Sequence, residues 1–182
     1  MNRRDGWTVY FDSETMQEIE QKAQERTHGG RLSMRTLKLR HNNDYVGVLG
    51  EYAYAFVYDI PFEQVQGYIA GGDGGVDFYL PDGRSVDVKN SLGRNLRLCN
   101  YTQRDIKSDL IVGATSTDVD NATLCAWMTR SYWSENNEVH PYTGSGWATW
   151  LNQMEQMETF PMPMVIAVFG RQWWLRPGTR RL

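Results

Sequence analysis

The sequence predicts an α/β (α+β) domain in which a mixed central β-sheet is flanked by helices. Helix-like segments precede a tight hairpin, and short apolar segments typical of buried strands follow it. A hairpin combined with apolar strands indicates a mixed sheet covered by helices. The 182 residues suffice for one sizeable core, so we expect residues 1–182 to form a single domain, with residues 1–43 as a peripheral N-terminal helical extension.

The first helix is predicted at residues 13–26, with the sequence SETMQEIEQKAQER. Ser13 is a suitable N-cap residue, and acidic residues fill the first turn. Met16, Ile19 and Ala23 share one face of this helix. The rest of its surface is polar, which indicates a position at the periphery of the fold.

A second helix is predicted at residues 45–58, with the sequence YVGVLGEYAYAFVY. It is apolar on almost every side, which is typical of a buried helix, and its one charged residue is Glu51. Gly47 and Ala55 lie one turn before and after Glu51, so another element can approach this carboxylate closely. Glu51 is therefore either a residue at the solvent edge or part of a site. A buried carboxylate without a partner is costly, and a bound cation would explain it.

The remaining elements follow from apolar runs and turn residues. A hairpin is predicted around the sequence PDG, and residues 92–107 form a basic stretch without an assigned structure. Strands are predicted at residues 109–114 and 123–128. Residues 147–157 are predicted to form a helix, and residues 164–175 a final strand or hairpin.

The hairpin places unusual residues on one face. Pro81-Asp82-Gly83 fits a three-residue loop in which Gly83 is left-handed, and this register sets Asp77 opposite Asp87. Alternation then puts Asp77, Asp87 and Lys89 on one face. The core face receives the apolar residues Val76, Phe78, Leu80, Val86 and Val88. A loop one residue shorter or longer would split the two carboxylates between the faces.

Two opposed carboxylates need a reason to be there. Opposed Cβ atoms are about 5 Å apart, and two charges at that distance repel by roughly 3 kcal/mol at an effective dielectric constant of about 20. A divalent cation removes this repulsion, and carboxylates with water suit Mg²⁺. Lys89 points to the same side as Asp87. A metal beside an ammonium group fits a phosphodiester substrate.

These residues resemble the PD-(D/E)XK nuclease superfamily, which has the restriction-endonuclease-like fold. Asp77 matches the first acid of the motif, and the sequence from Asp87 to Lys89 matches its D-x-K element. Glu51, in the sequence GEYAYA, is similar to the acidic residue of the preceding core helix. The resemblance covers residues 45–128 and departs from the motif at Val76, where a proline often stands.

The resemblance implies a Mg²⁺-dependent deoxyribonuclease with a restriction-endonuclease-like core, more in keeping with an endonuclease than an exonuclease. Glu51, Asp77, Asp87 and Lys89 would be catalytic. The metal ligands would be Glu51, Asp77, Asp87 and the backbone carbonyl of Val88, and Mn²⁺ would substitute for Mg²⁺. The resemblance also implies a phage or bacterial origin and a cytoplasmic location.

The charge distribution is compatible with DNA as the partner. The net charge is −3, but residues 84–107 contain six cations against two acids. Such asymmetry can form a basic face, although these cations could also be ordinary surface. The predicted DNA contacts are four cations for phosphates and one aromatic residue for stacking: Arg94, Arg97, Arg104, Lys107 and Trp174. Paired cuts would favour a homodimer, and no apolar run is long enough for a membrane helix.

Other functions stay open or are excluded by spacing. A catalytically silent DNA-binding module, a structure-selective enzyme resembling Holliday-junction resolvases, and a glycosidase with paired carboxylates remain alternatives. The glycine-rich sequence GGDGGVD lacks the ligand spacing of an EF-hand or a calcium-binding repeat. The sequence RHNN lacks the second histidine of an HNH nuclease. Cys99 and Cys125 lack metal-binding spacing, which favours a reduced protein over one with a disulfide.

Overall fold

The computed structural model describes residues 6–28, 43–65, 75–92, 97–100, 106–136, 138–139, 147–150, 155–157, 160–161 and 175–177. The helices in these ranges are α1 (Ser13–His28), α2 (Asn43–Val57) and α3 (Arg130–Asn136), and a short 3₁₀-helix covers Phe62–Gln64. The strands are β1 (Trp7–Tyr10), β2 (Phe78–Tyr79), β3 (Ser85–Leu92), β4 (Arg97–Asn100), β5 (Leu110–Ser116), β6 (Asn121–Thr129), β7 (Glu138–Val139), β8 (Trp147–Trp150), β9 (Glu155–Gln156) and β10 (Leu175–Pro177).

Seven of the described strands form the main sheet. Their order is β10-β1-β6-β5-β3-β2, and β9 pairs with β6 beyond the end of β1. Strands β3 and β5 are parallel, whereas the other pairs are antiparallel. The predicted mixed sheet flanked by helices is therefore confirmed. Strands β4, β8 and β7 form a second, antiparallel sheet.

Helix α2 packs across the main sheet because it is apolar on nearly every side. Leu49 and Tyr52 are fully buried, and the helix contacts β1, β3, β5 and β6. The helix ends in a Schellman motif, in which Asp59 is left-handed with φ of 54° and the N–H of Ile60 donates to the carbonyl of Ala55 at 2.8 Å. Helix α2 is thus the central helix of the fold, as its composition predicts.

The opposite face of the sheet is also covered. Ile111, Cys125, Met128 and Trp133 form a second apolar cluster there with Ile106. Since successive strand residues point to opposite faces, packing on both sides buries β5 along its whole length. Cys125 is buried in this cluster.

The N-terminal part of the chain is more central than predicted. Strand β1 pairs with β6 on one side and β10 on the other, so it is an internal strand. Helix α1 packs on α2, with Ile19 and Ala23 fully buried. The prediction of a peripheral helical extension is therefore wrong for residues 7–28, because one narrow apolar stripe is enough to dock a mostly polar helix.

Several element predictions have clear outcomes. The strands at residues 109–114 and 123–128 are confirmed as β5 and β6. The helix predicted at residues 147–157 is wrong, because strands β8 and β9 form there through pairing with distant strands. The predicted strand or hairpin at residues 164–175 lies almost entirely outside the described residues.

The cap of α1 also differs from the prediction. The N–H of Thr15 donates to the side chain of Asp12 at 2.9 Å, so Asp12 rather than Ser13 caps the helix.

Among the described residues, no helix has the length and apolar composition of a membrane-spanning segment.

Candidate functional site

The β2–β3 hairpin has the predicted register. Phe78 pairs with Val86, and Gly83 closes the loop with φ of 87°, the left-handed conformation that the loop requires. The paired residues end at Phe78 and Val86, so the predicted pairing of Asp77 with Asp87 lies beyond the ladder. On the core face Val76 is half-buried, and four residues are buried: Phe78, Leu80, Val86 and Val88.

Asp77 lies just beyond the paired part of β2 and completes the hydrogen bonding of β3 with its side chain. Its N–H donates to the carbonyl of Val86 at 2.8 Å, and its Oδ2 accepts the N–H of Val88 at 2.7 Å. The N–H and C=O of one strand residue point to the same side. The Val88 carbonyl, a predicted metal ligand, therefore faces the same edge of β3 as Asp77.

Asp87 and Lys89 lie on one face of β3, as predicted. The Nζ of Lys89 is 2.7 Å from Oδ1 of Asp87, and the side chains are 35% and 4% exposed, respectively. Lys89 therefore extends from a buried carboxylate towards solvent.

A close contact between α2 and β3 brings Glu51 towards this edge. A Cβ at Gly50 would lie only 2.6 Å from the Cβ of Asn90, so glycine is required for the two elements to approach. The Nδ2 of Asn90 also donates to the carbonyl of Val46 in α2 at 2.8 Å and to Ser116 in β5 at 2.8 Å. This contact between α2 and β3 was not predicted from the sequence. Its signal in the sequence is the glycine directly before Glu51.

Arg26 of α1 holds the Glu51 carboxylate. Its Nη1 and Nη2 donate to Oε1 and Oε2 of Glu51 at 2.6 and 2.5 Å, a bidentate arrangement that is among the strongest in proteins. The side chain of Glu51 is only 5% exposed. The element that approaches Glu51 beside Gly47 is thus α1, and the buried charge of Glu51 does not by itself require a metal. The sequence analysis missed Arg26.

The three carboxylates interact electrostatically. Burial raises the pKa of Asp77 well above its ordinary value, and the charges of Glu51 and Asp87 raise this pKa further. The hydrogen bond from Val88 and the charge of Lys89 act in the opposite direction. Glu51 and Asp87 are therefore close enough to Asp77 to influence its ionisation, and we refer to Glu51, Asp77 and Asp87 as the acidic cluster.

Two of the three carboxylates form ion pairs with described residues. Arg26 pairs with Glu51 and Lys89 pairs with Asp87, whereas Asp77 accepts a hydrogen bond from the backbone of Val88. Burial is the main cause of the raised pKa of Asp77, and the charges of Glu51 and Asp87 add to it.

The oxygen atoms of the cluster are ligands that suit Mg²⁺. In the structure, however, the three carboxylates are bonded to other protein groups. Carboxylate and carbonyl oxygens are the ligands of a hard cation, and the cluster offers both. Within the described residues, however, no group of three or more His, Cys, Asp or Glu side chains is arranged so that it could hold a metal ion. Glu51 faces Arg26, Asp87 faces Lys89, and Asp77 faces the N–H of Val88. A cation would have to share or replace these partners.

The predicted DNA contacts are described only in part. Lys107 is exposed and precedes β5. Arg97 begins strand β4 in the second sheet, opposite Trp150. Arg94, Arg104 and Trp174 lie outside the described residues, and so do the cations of residues 31–40.

Comparisons with known proteins add no family. No family model matches the chain, and no match to a curated protein is found.

Proposed function

We propose that the protein is a Mg²⁺-dependent nuclease that hydrolyses DNA phosphodiester bonds, and that it belongs to the PD-(D/E)XK superfamily. The observation that supports this most is the clustering of Glu51 with Asp77 and Asp87 beside Lys89. Glu51 lies on a different element from the others, so only the tertiary fold brings it to them. A chance D-x-K pattern in a hairpin would not require a third acid from a central helix.

In this proposal Glu51, Asp77, Asp87 and the carbonyl of Val88 hold the cation. The cation would polarise the phosphoryl group and lower the pKa of a bound water. Asp77 and the Val88 carbonyl face one edge of β3, beyond the end of β2. The carboxylate of Asp87 would bind the same cation from the face of β3 that it shares with Lys89.

Lys89 has two roles in this proposal. Its pairing with Asp87 at 2.7 Å fixes the position of the ammonium group, and its partly exposed position lets it donate to water or to a phosphate oxygen. The charge balance agrees with such a substrate. Counting only the described residues, the ionised cluster with Arg26 and Lys89 carries one surplus negative charge, so a divalent cation would make it a net positive site that attracts a phosphodiester.

The order of elements is compatible with a restriction-endonuclease-like core. A buried helix precedes a hairpin, and further strands of the same mixed sheet follow.

The proposal that DNA is the substrate rests on the basic stretch at residues 92–107. Neutralising Arg94, Arg97 and Arg104 to alanine should reduce the log–log salt slope of DNA binding by about three, or about one per phosphate contact. An unchanged slope would assign these arginines to ordinary surface.

A catalytically silent DNA-binding module is the second candidate, and one observation favours it. Arg26 and Lys89 already compensate two of the three carboxylates, so the cluster can exist without a metal. A panel of labelled DNA and RNA structures, incubated with Mg²⁺ or Mn²⁺, separates the two. Cleavage of any DNA substrate that EDTA abolishes supports the nuclease, whereas binding without cleavage supports the silent module.

A further inference from the structure

The Arg26–Glu51 pair uses the carboxylate that the proposed metal site needs. The two guanidinium nitrogens donate to both Glu51 oxygens, at 2.6 and 2.5 Å. A cation can therefore reach Glu51 only by sharing an oxygen with Arg26 or by taking it from Arg26. The side chain of Arg26 is 19% exposed and that of Glu51 is 5% exposed. Water has better access to Arg26, so Arg26 is the partner that can move.

Gly47 of α2 lies beside the guanidinium group of Arg26. Among the described residues, the one atom within 4 Å of a Cβ placed at Gly47 is Nη1 of Arg26, at 3.8 Å. Arginine can move its charged end while its carbon chain stays packed. Lys22, one turn earlier on α1, instead donates to the carbonyl of Val65 and offers a matched cation on the same helix.

We propose that Arg26 is a displaceable counter-ion that sets the affinity of the acidic cluster for divalent cations. In the metal-free protein it neutralises the Glu51 carboxylate. When a cation enters the cluster, Arg26 releases at least one Glu51 oxygen. Because the guanidinium and the cation compete for the same oxygens and repel each other, Arg26 weakens cation binding. This inference rests on the proposed function of the cluster.

Titration of the full-length apo protein with MnCl₂, followed by the electron paramagnetic resonance signal of free Mn²⁺, tests the inference without measuring cleavage. Arg26→Met removes the charge but keeps an unbranched side chain. It should bind Mn²⁺ about tenfold more tightly than the wild type, within the range typical of coupled sites. Lys22→Met removes a cation that bonds Val65 rather than Glu51, and a screened charge of this kind should change the affinity less than about twofold.

Equal or weaker Mn²⁺ binding by Arg26→Met, with clear binding by the wild type, overturns the inference and leaves the proposed function intact. The absence of Mn²⁺ binding in both proteins contradicts the inference and the proposed function together. Circular dichroism establishes that each variant is folded. If Arg26→Met does not fold, Arg26→Gln, which can still donate to Glu51, takes its place with the same expected direction.

Discussion

Replacing Glu51 by Gln removes one charge of the Arg26–Glu51 pair and keeps the size of the side chain. Breaking a buried ion pair by removing one partner costs about 3–5 kcal/mol. Three effects reduce this loss: Arg26 is 19% exposed and can reach water, the Gln oxygen still accepts one hydrogen bond, and Asp77 loses a repelling neighbour. We therefore expect the free energy of unfolding of the apo protein to fall by about 2–3 kcal/mol.

Urea denaturation in EDTA at pH 7 measures this change as a lower midpoint at constant slope. In a thermal melt the same loss corresponds to roughly 5–10 °C for a domain of this size. Asp82→Asn is the matched control, because it removes the acid of the exposed Arg84–Asp82 pair, and its midpoint should not change measurably. A midpoint for Glu51→Gln that equals the wild type or exceeds it would refute the stabilising role of the pair.

Two further predictions concern the same edge of the sheet. Asp77→Asn should stabilise the apo protein more at pH 8 than at pH 4, because the raised pKa of Asp77 makes its ionisation increasingly destabilising as the pH rises; equal urea midpoint differences at both pH values would contradict this. Gly50→Ala should destabilise by about 1–3 kcal/mol because its Cβ would lie 2.6 Å from Asn90. Among the described residues the Cβ of Gly47→Ala would meet Arg26 alone, at 3.8 Å, so this variant should stabilise by up to about 1 kcal/mol. If Gly50→Ala shifted the urea midpoint from that of the wild type by the same amount as Gly47→Ala does, the packing of α2 against β3 at Gly50 would not be tight.

Local sequence signals were sufficient where neighbouring residues determine the structure. The alternation of apolar residues and the loop glycine predicted the hairpin register, and the structure has Gly83 left-handed and Phe78 opposite Val86. The continuous apolar sequence of α2 predicted a buried helix, and Leu49 and Tyr52 are fully buried.

Local sequence patterns failed to predict the strands and the ion pair whose partners are distant in the chain. Strand β1 has four residues and is fixed by pairing with β6 and β10, so its own pattern is too short to identify it. Strand β8 forms at Trp147–Trp150, where a helix was predicted, through pairing with β4 and β7. Arg26 lies on a helix that looks peripheral, and nothing local shows that it binds Glu51. The sequence therefore predicted the acids of the cluster and missed one of its counter-ions.

The central claim is that the acidic cluster and Lys89 hydrolyse DNA with Mg²⁺, and plasmid cleavage by the wild type and Lys89→Ala tests it most directly. Lys89 pairs with Asp87 and is not a proposed metal ligand, so Lys89→Ala should still bind Mn²⁺, at least as tightly as the wild type, while the loss of the ion pair lowers its stability. We predict nicking by the wild type in Mg²⁺, none in EDTA, and a rate at least about a hundredfold lower for Lys89→Ala, the loss typical of one electrostatic contact to the transition state. Equal rates of cleavage by the two proteins would contradict a catalytic role for Lys89. No cleavage by the wild type with Mg²⁺ or Mn²⁺ would contradict the proposed nuclease activity.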